Sequence, residues 1–258
     1  MSQYERLEKI MHYLRENKKI SVDDICKLYH VSRDSARRDL VKLEDARLLL
    51  RVHGGAILPQ SVQHVSRYEE RLGNLSVKKR IGQAAASLIV DGESILMDAS
   101  TTVQAAAEAL TAKDLVVLTN SIDIAGTLGK KDNCKVHILG GEFNAWYRNV
   151  TGIQTIDMLR NFRVQTLFLG VGGLTGDGLS SPVLEDAYLK REMVRNAERV
   201  VVLADHEKFQ KNFLHYVCGI QEINILVTDN IPPQFIQEVL KRNNVQIIVA
   251  EGGDNHDN

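Results

Sequence analysis

Seven short apolar runs alternate with helical patterns over the last two thirds of the chain, and this alternation constrains the fold more than any other feature. The runs are Ser94–Asp98, Leu115–Thr119, Lys135–Leu139, Gln165–Gly170, Val200–Asp205, Ile223–Thr228 and Gln246–Ala250. Helical periodicity separates most of them, as over Lys78–Ile89, Thr102–Leu110 and Leu184–Asn196. Strands that alternate with helices predict an α/β unit with a mostly parallel sheet covered on both faces. Ligands of such sheets bind beyond the carboxyl ends of the strands.

The residues at those ends are small and polar. The first strand leads into Asp98-Ala-Ser100-Thr101-Thr102, where consecutive hydroxyls beside the free N–H groups of a helix start form an anion cradle. Asn120 and Ser121 follow the second strand, Gly140 and Gly141 the third, and Gly170, Gly172 and Gly173 the fourth. Glu185 and Lys190 fall on a helix, and Asp205 and Lys208 follow the fifth strand. Together they describe a site for a small polyhydroxylated molecule carrying a phosphate. Each element also has a plainer reading. The hydroxyl run caps its helix, the glycines make a turn, and each lysine is solvated. As a dinucleotide fingerprint, Gly170–Gly173 lacks the spacing and the later acidic partner.

The first sixty residues are built differently. Two short helical patterns meet at a tight turn, His30–Val31, and a basic hairpin carrying Arg51 to Ala56 follows. Ser21 with Asp24 predicts a capping box, and Ser32 caps the next helix. Val22, Ile25, Leu28 and Tyr29 are the apolar positions of the first helix; Ala36, Leu40 and Leu43 form the buried face of the second. An earlier helix supplies Leu7, Ile10, Met11 and Leu14. Arg33, Asp34, Arg37, Arg38 and Val41 then lie outward. This is the arrangement that presents one helix to the major groove of DNA with a wing beside it. Ser32, Arg33, Ser35 and Arg37 suit the groove, and Arg38 and Lys42 suit phosphates. Either Arg33 or Arg37 has the fork for a guanine edge. Arg51, His53 and Gly54 belong to the wing. The plainer reading makes Arg37 and Arg38 a solvated face, with Asp34 as a helical partner for Arg38, and Gly54-Gly55 a simple turn.

Charge supports the division. Residues 1–60 hold 12 Lys and Arg against 9 Asp and Glu, and the remainder holds 20 against 24. The basic side of this otherwise neutral chain lies in the first segment. The expected organisation is a DNA-binding domain over residues 1–57, a linker over 58–75, an α/β domain over 76–251 and a frayed tail over 252–258. No segment has the length of a membrane span, and the N-terminus lacks signal-peptide character. Cys26, Cys134 and Cys218 are scattered, Cys26 being read as a small buried residue, and no metal-ligand spacing occurs. A cytoplasmic protein without metal or cofactor is expected.

From Val31-Ser32 through Arg37-Arg38-Asp39-Leu40, then Leu43-Glu44 and Arg51-Val-His-Gly-Gly-Ala56, the chain resembles the DeoR-type (GlpR-type) bacterial transcription regulators. The likeness continues through most of the second domain. It implies a winged helix-turn-helix followed by a domain similar to ribose-5-phosphate isomerase that senses phosphorylated sugars. The family's Asp-x-Gly-Thr-Thr stands here as Asp98-Ala-Ser-Thr-Thr102, and its Asp-x-Ser/Thr-Lys as Asp205-His-Glu-Lys208. The Thr-Asn-Ser, Gly-Gly and Glu-to-Lys elements match at Thr119–Ser121, Gly140–Gly141 and Glu185–Lys190. Four departures bear on specificity: Ser35 for Thr, Ala46-Arg47 for the Gly before the wing, Ser100 for Gly, and Glu207, whose charge repels a second phosphate.

The expected function is a homo-oligomeric repressor, dimer or tetramer, that binds a double-stranded operator and is released by a phosphorylated sugar. The alternative is a sugar-phosphate isomerase with a DNA-binding head. Glu185 would then be the proton-transfer base, and Lys190 or Lys208 would stabilise an enediolate. Against it, the helix-turn-helix would be idle, no Gly-x-Ser-x-Gly elbow occurs, and none of the 8 histidines has an evident nucleophile partner.

Overall fold

A computed structural model describes residues 3–45, 49–52, 54–57, 68, 73–132 and 134–250. The chain divides into two compact units, Met1–His64 and Val65–Asn258.

The first unit runs α1 (Gln3–Asn17), β1 (Lys19–Ser21), α2 (Val22–Tyr29), α3 (Arg33–Asp45), β2 (Leu50–Val52) and β3 (Gly55–Ile57). Ser21 starts α2 through a capping box: the Asp24 N–H donates to Ser21 Oγ at 3.0 Å, and the Ser21 N–H donates to the Asp24 carboxylate at 3.1 Å. His30 stops α2 in a left-handed conformation, φ 53°, and Ser32 Oγ accepts the Ser35 N–H to open α3. Ile10, Leu14, Ile25, Ala36, Leu40 and Leu43 close one core with Leu49 and Ala56.

Leu28 is a correction, being 48% exposed. Val22, Cys26 and Tyr29 flank Ile25 against the core, Cys26 being only partly buried. At about 100° per residue Leu28 lies roughly a quarter-turn off that face. Arg38 does meet Asp34, four residues back, but through the backbone: its Nε donates to the Asp34 carbonyl at 3.3 Å.

The three strands form an antiparallel sheet in the order β1-β3-β2. Gly54 turns the wing at φ 81°. A Cβ on Gly55 would sit 2.1 Å from the Ile20 carbonyl oxygen, so glycine there is what lets β3 close on β1.

The second unit runs α4 (Leu75–Ala86), β4 (Ser94–Met97), α5 (Thr101–Ala109), β5 (Leu115–Thr119), α6 (Ile122–Leu128), β6 (Cys134–Ile138), β7 (Glu142–Asn144), β8 (Asn149–Thr151), α7 (Ile153–Leu159) and β9 (Val164–Gly170). It continues with β10 (Gly173–Thr175), β11 (Gly178–Ser181), α8 (Leu184–Arg195), β12 (Ala197–Leu203), β13 (His215–Cys218), β14 (Ile225–Thr228), α9 (Gln234–Arg242) and β15 (Gln246–Val249). The seven expected strands form one parallel sheet, β15-β14-β12-β9-β4-β5-β6.

Alternate residues of the strands enter two separate cores. Ile95, Met97, Val117, Phe168, Val201 and Leu203 pack with apolar residues of α4, α5 and α6. Leu96, Leu118, Leu167, Leu169 and Val202 pack with α7, α8 and α9. Both faces are therefore covered, as a parallel sheet requires.

From β4 the chain builds towards β6 on one side; from β9 it builds towards β15 on the other. The loops after β4 and β9 thus part at a topological switch point, where open α/β sheets form their crevice. Two small antiparallel elements add to this frame, the hairpin β7-β8 and the sheet β10-β11-β13. All three cysteines are free, and burial pushes the Cys218 thiol up to about 12.

Candidate functional site

In the first unit Arg33, Arg37 and Arg38 lie exposed on α3, with Ser32 before them and Lys42 one turn beyond Arg38. Ser35 is half-buried at the start of the helix. A groove of about 520 Å³ is lined by Asp23, Arg33 and Arg37 on the helices and by Arg51, Val52 and Gly54 on the wing. Three arginines thus face one concave surface.

The cations differ in how far they are held. Arg33 pairs with Asp23 at 2.7 Å between exposed side chains. Arg51 lies 3.6 Å from Glu44, and Lys42 donates to Gln3 Oε1 at 2.6 Å. Among the described residues no hydrogen bond or ion pair holds the Arg37 side chain, which leaves its fork available. His53 and Ala46-Arg47 lie outside the described residues.

Asp39, which follows the two arginines, has a role the sequence reading missed. It is fully buried and accepts hydrogen bonds from Arg6 at 2.6 and 3.2 Å and from Gln3 at 2.9 Å. The bonds tie α3 to α1 and so fix which face of α3 points outward. A polar residue directly after two outward arginines gave no signal of this.

In the second unit Ser100, Thr101 and Thr102 form the N-terminus of α5, and Ser100 Oγ accepts the Thr102 N–H at 3.3 Å. These three residues share a cavity of about 360 Å³ with Asp205 and Lys208, two others that the sequence singled out. Asn74, Lys78, Glu207 and Lys211 are among the other residues of its walls. Lys78 is a buried lysine on α4; its position beside Lys79 and Arg80 in a basic run hid it from sequence reading. Asp205 also caps the turn that carries Lys208, accepting the Glu207 N–H at 3.1 Å. Glu207 itself accepts a hydrogen bond from Asn74 at 3.3 Å.

Asp98 and Lys190 do not line this cavity. They form a buried pair at 2.8 Å, exposed by 1% and 7% at their side chains. The same Asp98 oxygen accepts the Gly170 N–H at 3.1 Å, and Lys190 donates to the Gly170 carbonyl at 2.6 Å. Burial pushes the Asp98 carboxyl above the usual carboxylate range, against the pull of Lys190 and the Gly170 N–H. Lys190 is therefore neither solvated nor aimed at a ligand. It locks the loop after β4 to the end of β9.

Gly170 makes the same junction close-packed: a Cβ there would lie 2.3 Å from Ser100 Oγ. Asn120 joins a third loop to it. Its Oδ1 accepts the Ala99 N–H at 3.0 Å, and its Nδ2 donates to the Val150 carbonyl at 3.2 Å. Ser121 caps α6. The Gly140 carbonyl accepts the Thr155 hydroxyl at 2.8 Å, and Gly141 packs tightly against Thr155 and Thr151. Gly172 and Gly173 pack against Pro182 and the Lys211 backbone. Glu185 lines a separate, smaller cavity.

Comparison with known proteins decides the class. Residues 6–62 match the DeoR-like helix-turn-helix domain and residues 73–230 match the DeoR C-terminal sensor domain. The chain belongs to the DeoR family. It is 40% identical over 258 residues to the HTH-type transcriptional repressor GlcR of Bacillus subtilis, covering 100% of both chains. It is 30% identical over 252 residues to the glycerol-3-phosphate regulon repressor of Escherichia coli, covering 96% of this chain and 99% of that one.

Among solved structures it is similar to the full-length sorbitol operon regulator SorC of Klebsiella pneumoniae, at 13% identity and TM-score 0.41 over 93% of this chain and 99% of that one. A D-ribose-5-phosphate isomerase solved with phospho-erythronic acid matches at 15% identity and TM-score 0.39 over 55% of each chain. Among the described residues of this DeoR-family chain, no helix is long and apolar enough to cross a membrane.

Proposed function

We propose that this DeoR-family protein is a sequence-specific transcriptional repressor of a carbohydrate-metabolism operon, bound to its operator in the cytoplasm as a dimer or tetramer and released by a phosphorylated sugar. The observation that carries the DNA half is the groove in which Arg33, Arg37 and Arg51 face one concave surface. In this reading Arg37 reads a base edge, with Ser32, Arg33 and Ser35 beside it. Arg38, Lys42, Arg51, His53 and Gly54 meet the backbone. Two such units on one oligomer would engage repeated half-sites.

The sensor half rests on the hydroxyl cluster at the start of α5 facing lysines across one cavity. The phosphate sits at Ser100, Thr101 and Thr102, where helix N–H groups and hydroxyls converge. Lys208 with Lys78 and Lys211 supplies the balancing charge. Asp98, Lys190, Asn120 and Gly170 hold the loops that shape this cradle, with Ser121, Gly140, Gly141, Gly172 and Gly173 behind them. Glu207 narrows the choice to ligands with one phosphate at this end.

An isomerase reading loses its chemistry here. Lys190, one of its two candidate electrophiles, is committed to Asp98 and Gly170. The other, Lys208, lines a different cavity from the candidate base Glu185. Relatives spanning nearly the whole chain are named as repressors.

Release needs differential affinity of the effector for the two states of the regulator. A tenfold loss of operator affinity takes about 1.4 kcal/mol of coupling, within reach of one ordered phosphate contact. Binding of the purified protein to its own upstream DNA, at fixed salt with a panel of sugar phosphates, tests this. Specific binding relieved by one ester is expected. Operator affinity indifferent to every bound ester would sink the sensor assignment and leave the DNA-binding one standing.

A further inference from the structure

The Lys190 ammonium meets a second carboxylate, Asp186, at 3.5 Å, and Asp186 leads to a site outside the phosphate cradle. It is one wall of the smaller cavity, about 180 Å³, together with Glu142, Asn144, Tyr147, Asn149 and Glu185. The polar groups of this cavity are not equally satisfied. Asp186 also accepts the Ser181 hydroxyl at 2.7 Å, and Asn144 Oδ1 accepts the N–H groups of Trp146 and Tyr147 at 3.0 and 3.2 Å. Glu142 and Glu185 have no ion-pair partner among the described residues. Asn149 is 5% exposed, yet its Oδ1 has no hydrogen-bond partner.

A buried amide oxygen without a donor is costly, because its desolvation is not offset. Asn149 lines a cavity that also carries two exposed carboxylates without an ion-pair partner among the described residues. Three carboxylates against no cation give the cavity net negative charge, which favours a ligand with donors and positive charge. Among the described residues no group of three or more His, Cys, Asp or Glu side chains converges as a metal site. An organic cation fits better. A primary ammonium has three N–H donors, enough for both carboxylates and the amide oxygen. The volume also suits a small group, since water occupies about 30 Å³ in the liquid.

We infer that this cavity binds the ammonium group of a small ligand. That ammonium has two possible sources: the effector itself, if it is an amino-sugar phosphate, or a separate small amine. The first rests on the phosphate reading above. Asn120 gives it a structural basis, because it bonds the loop that opens the phosphate cradle to the β7-β8 hairpin that carries Asn149.

Titration calorimetry on the full chain near neutral pH, with glucosamine 6-phosphate, glucose 6-phosphate and glucosamine, separates the cases. An effector source predicts that the amino ester binds about tenfold or more tightly than the neutral one, and that Glu142→Gln or Glu185→Gln erases the preference. A separate amine predicts that glucosamine binds alone and is weakened by the same variants. Both substitutions are isosteric and at exposed positions, and thermal melting checks their folding. Equal binding of the two esters without binding of glucosamine overturns the inference, as does a preference that survives both variants. If neither ester binds, the phosphate reading fails, and the glucosamine arm alone decides the inference.

Discussion

Lys190 can be charged in the interior because three acceptors meet it: the Asp98 and Asp186 carboxylates and the Gly170 carbonyl. Removing one partner of such a pair leaves the other uncompensated. Lys190→Met is expected to cost about 3–5 kcal/mol in urea unfolding, with part recovered when Asp98→Asn is added. A loss under 1 kcal/mol would mean that the pair is not closed in solution. His206 offers a milder test at the surface. Its ring Nδ1 lies 2.6 Å from Asp229, which with Asp205 and Glu207 raises its pKa above the ordinary 6.5. A raised folded value means that stability from this pair is full below about pH 6.5 and falls as pH rises through the folded pKa. Melting temperature should therefore decline over that window, and Asp229→Asn should flatten the decline.

At the scale of elements, α3 was legible because its caps, apolar spacing and outward arginines all agree. The roles within it separate by experiment. Arg37→Ala should cost about 1–3 kcal/mol of operator binding and relax base preference. Arg38→Ala should weaken all DNA alike and lower the salt slope by about one. Equal loss of specificity in both would reverse the assignment. The wing was legible as a hairpin but not as a three-stranded sheet. β1 is three residues long, too short to show a period, and its pairing with β3 depends on Gly55 being bare. Gly55→Ala should part those strands and lower operator affinity; full affinity with an unchanged melt would show that the sheet relaxes around the methyl. The same shortness hid β7, β8, β10, β11 and β13, which hold three or four residues each.

Across the whole molecule the parallel sheet could be read strand by strand, because buried strands announce themselves as continuous apolar runs. The site was less legible. Sequence places polar residues at strand ends without saying which face a cavity, and here they sort into walls, such as Thr101, Thr102 and Lys208, and fasteners, such as Asp98, Lys190 and Asn120. Only the fold reveals that Lys78, far from any strand end, belongs with the walls.

The contact between Gly170 and Ser100 has a historical consequence. The two residues share one small volume across the switch point, so substitutions there are not interchangeable in order. Gly170→Ala should destabilise this chain by about 1–3 kcal/mol as overpacking, yet be far better tolerated once Ser100→Gly has opened the space. Additive effects in that double-mutant cycle would disprove the linkage. If it holds, a lineage that acquired serine at position 100 closed off side chains at position 170, and its later adaptation to new effectors had to proceed elsewhere around the cavity.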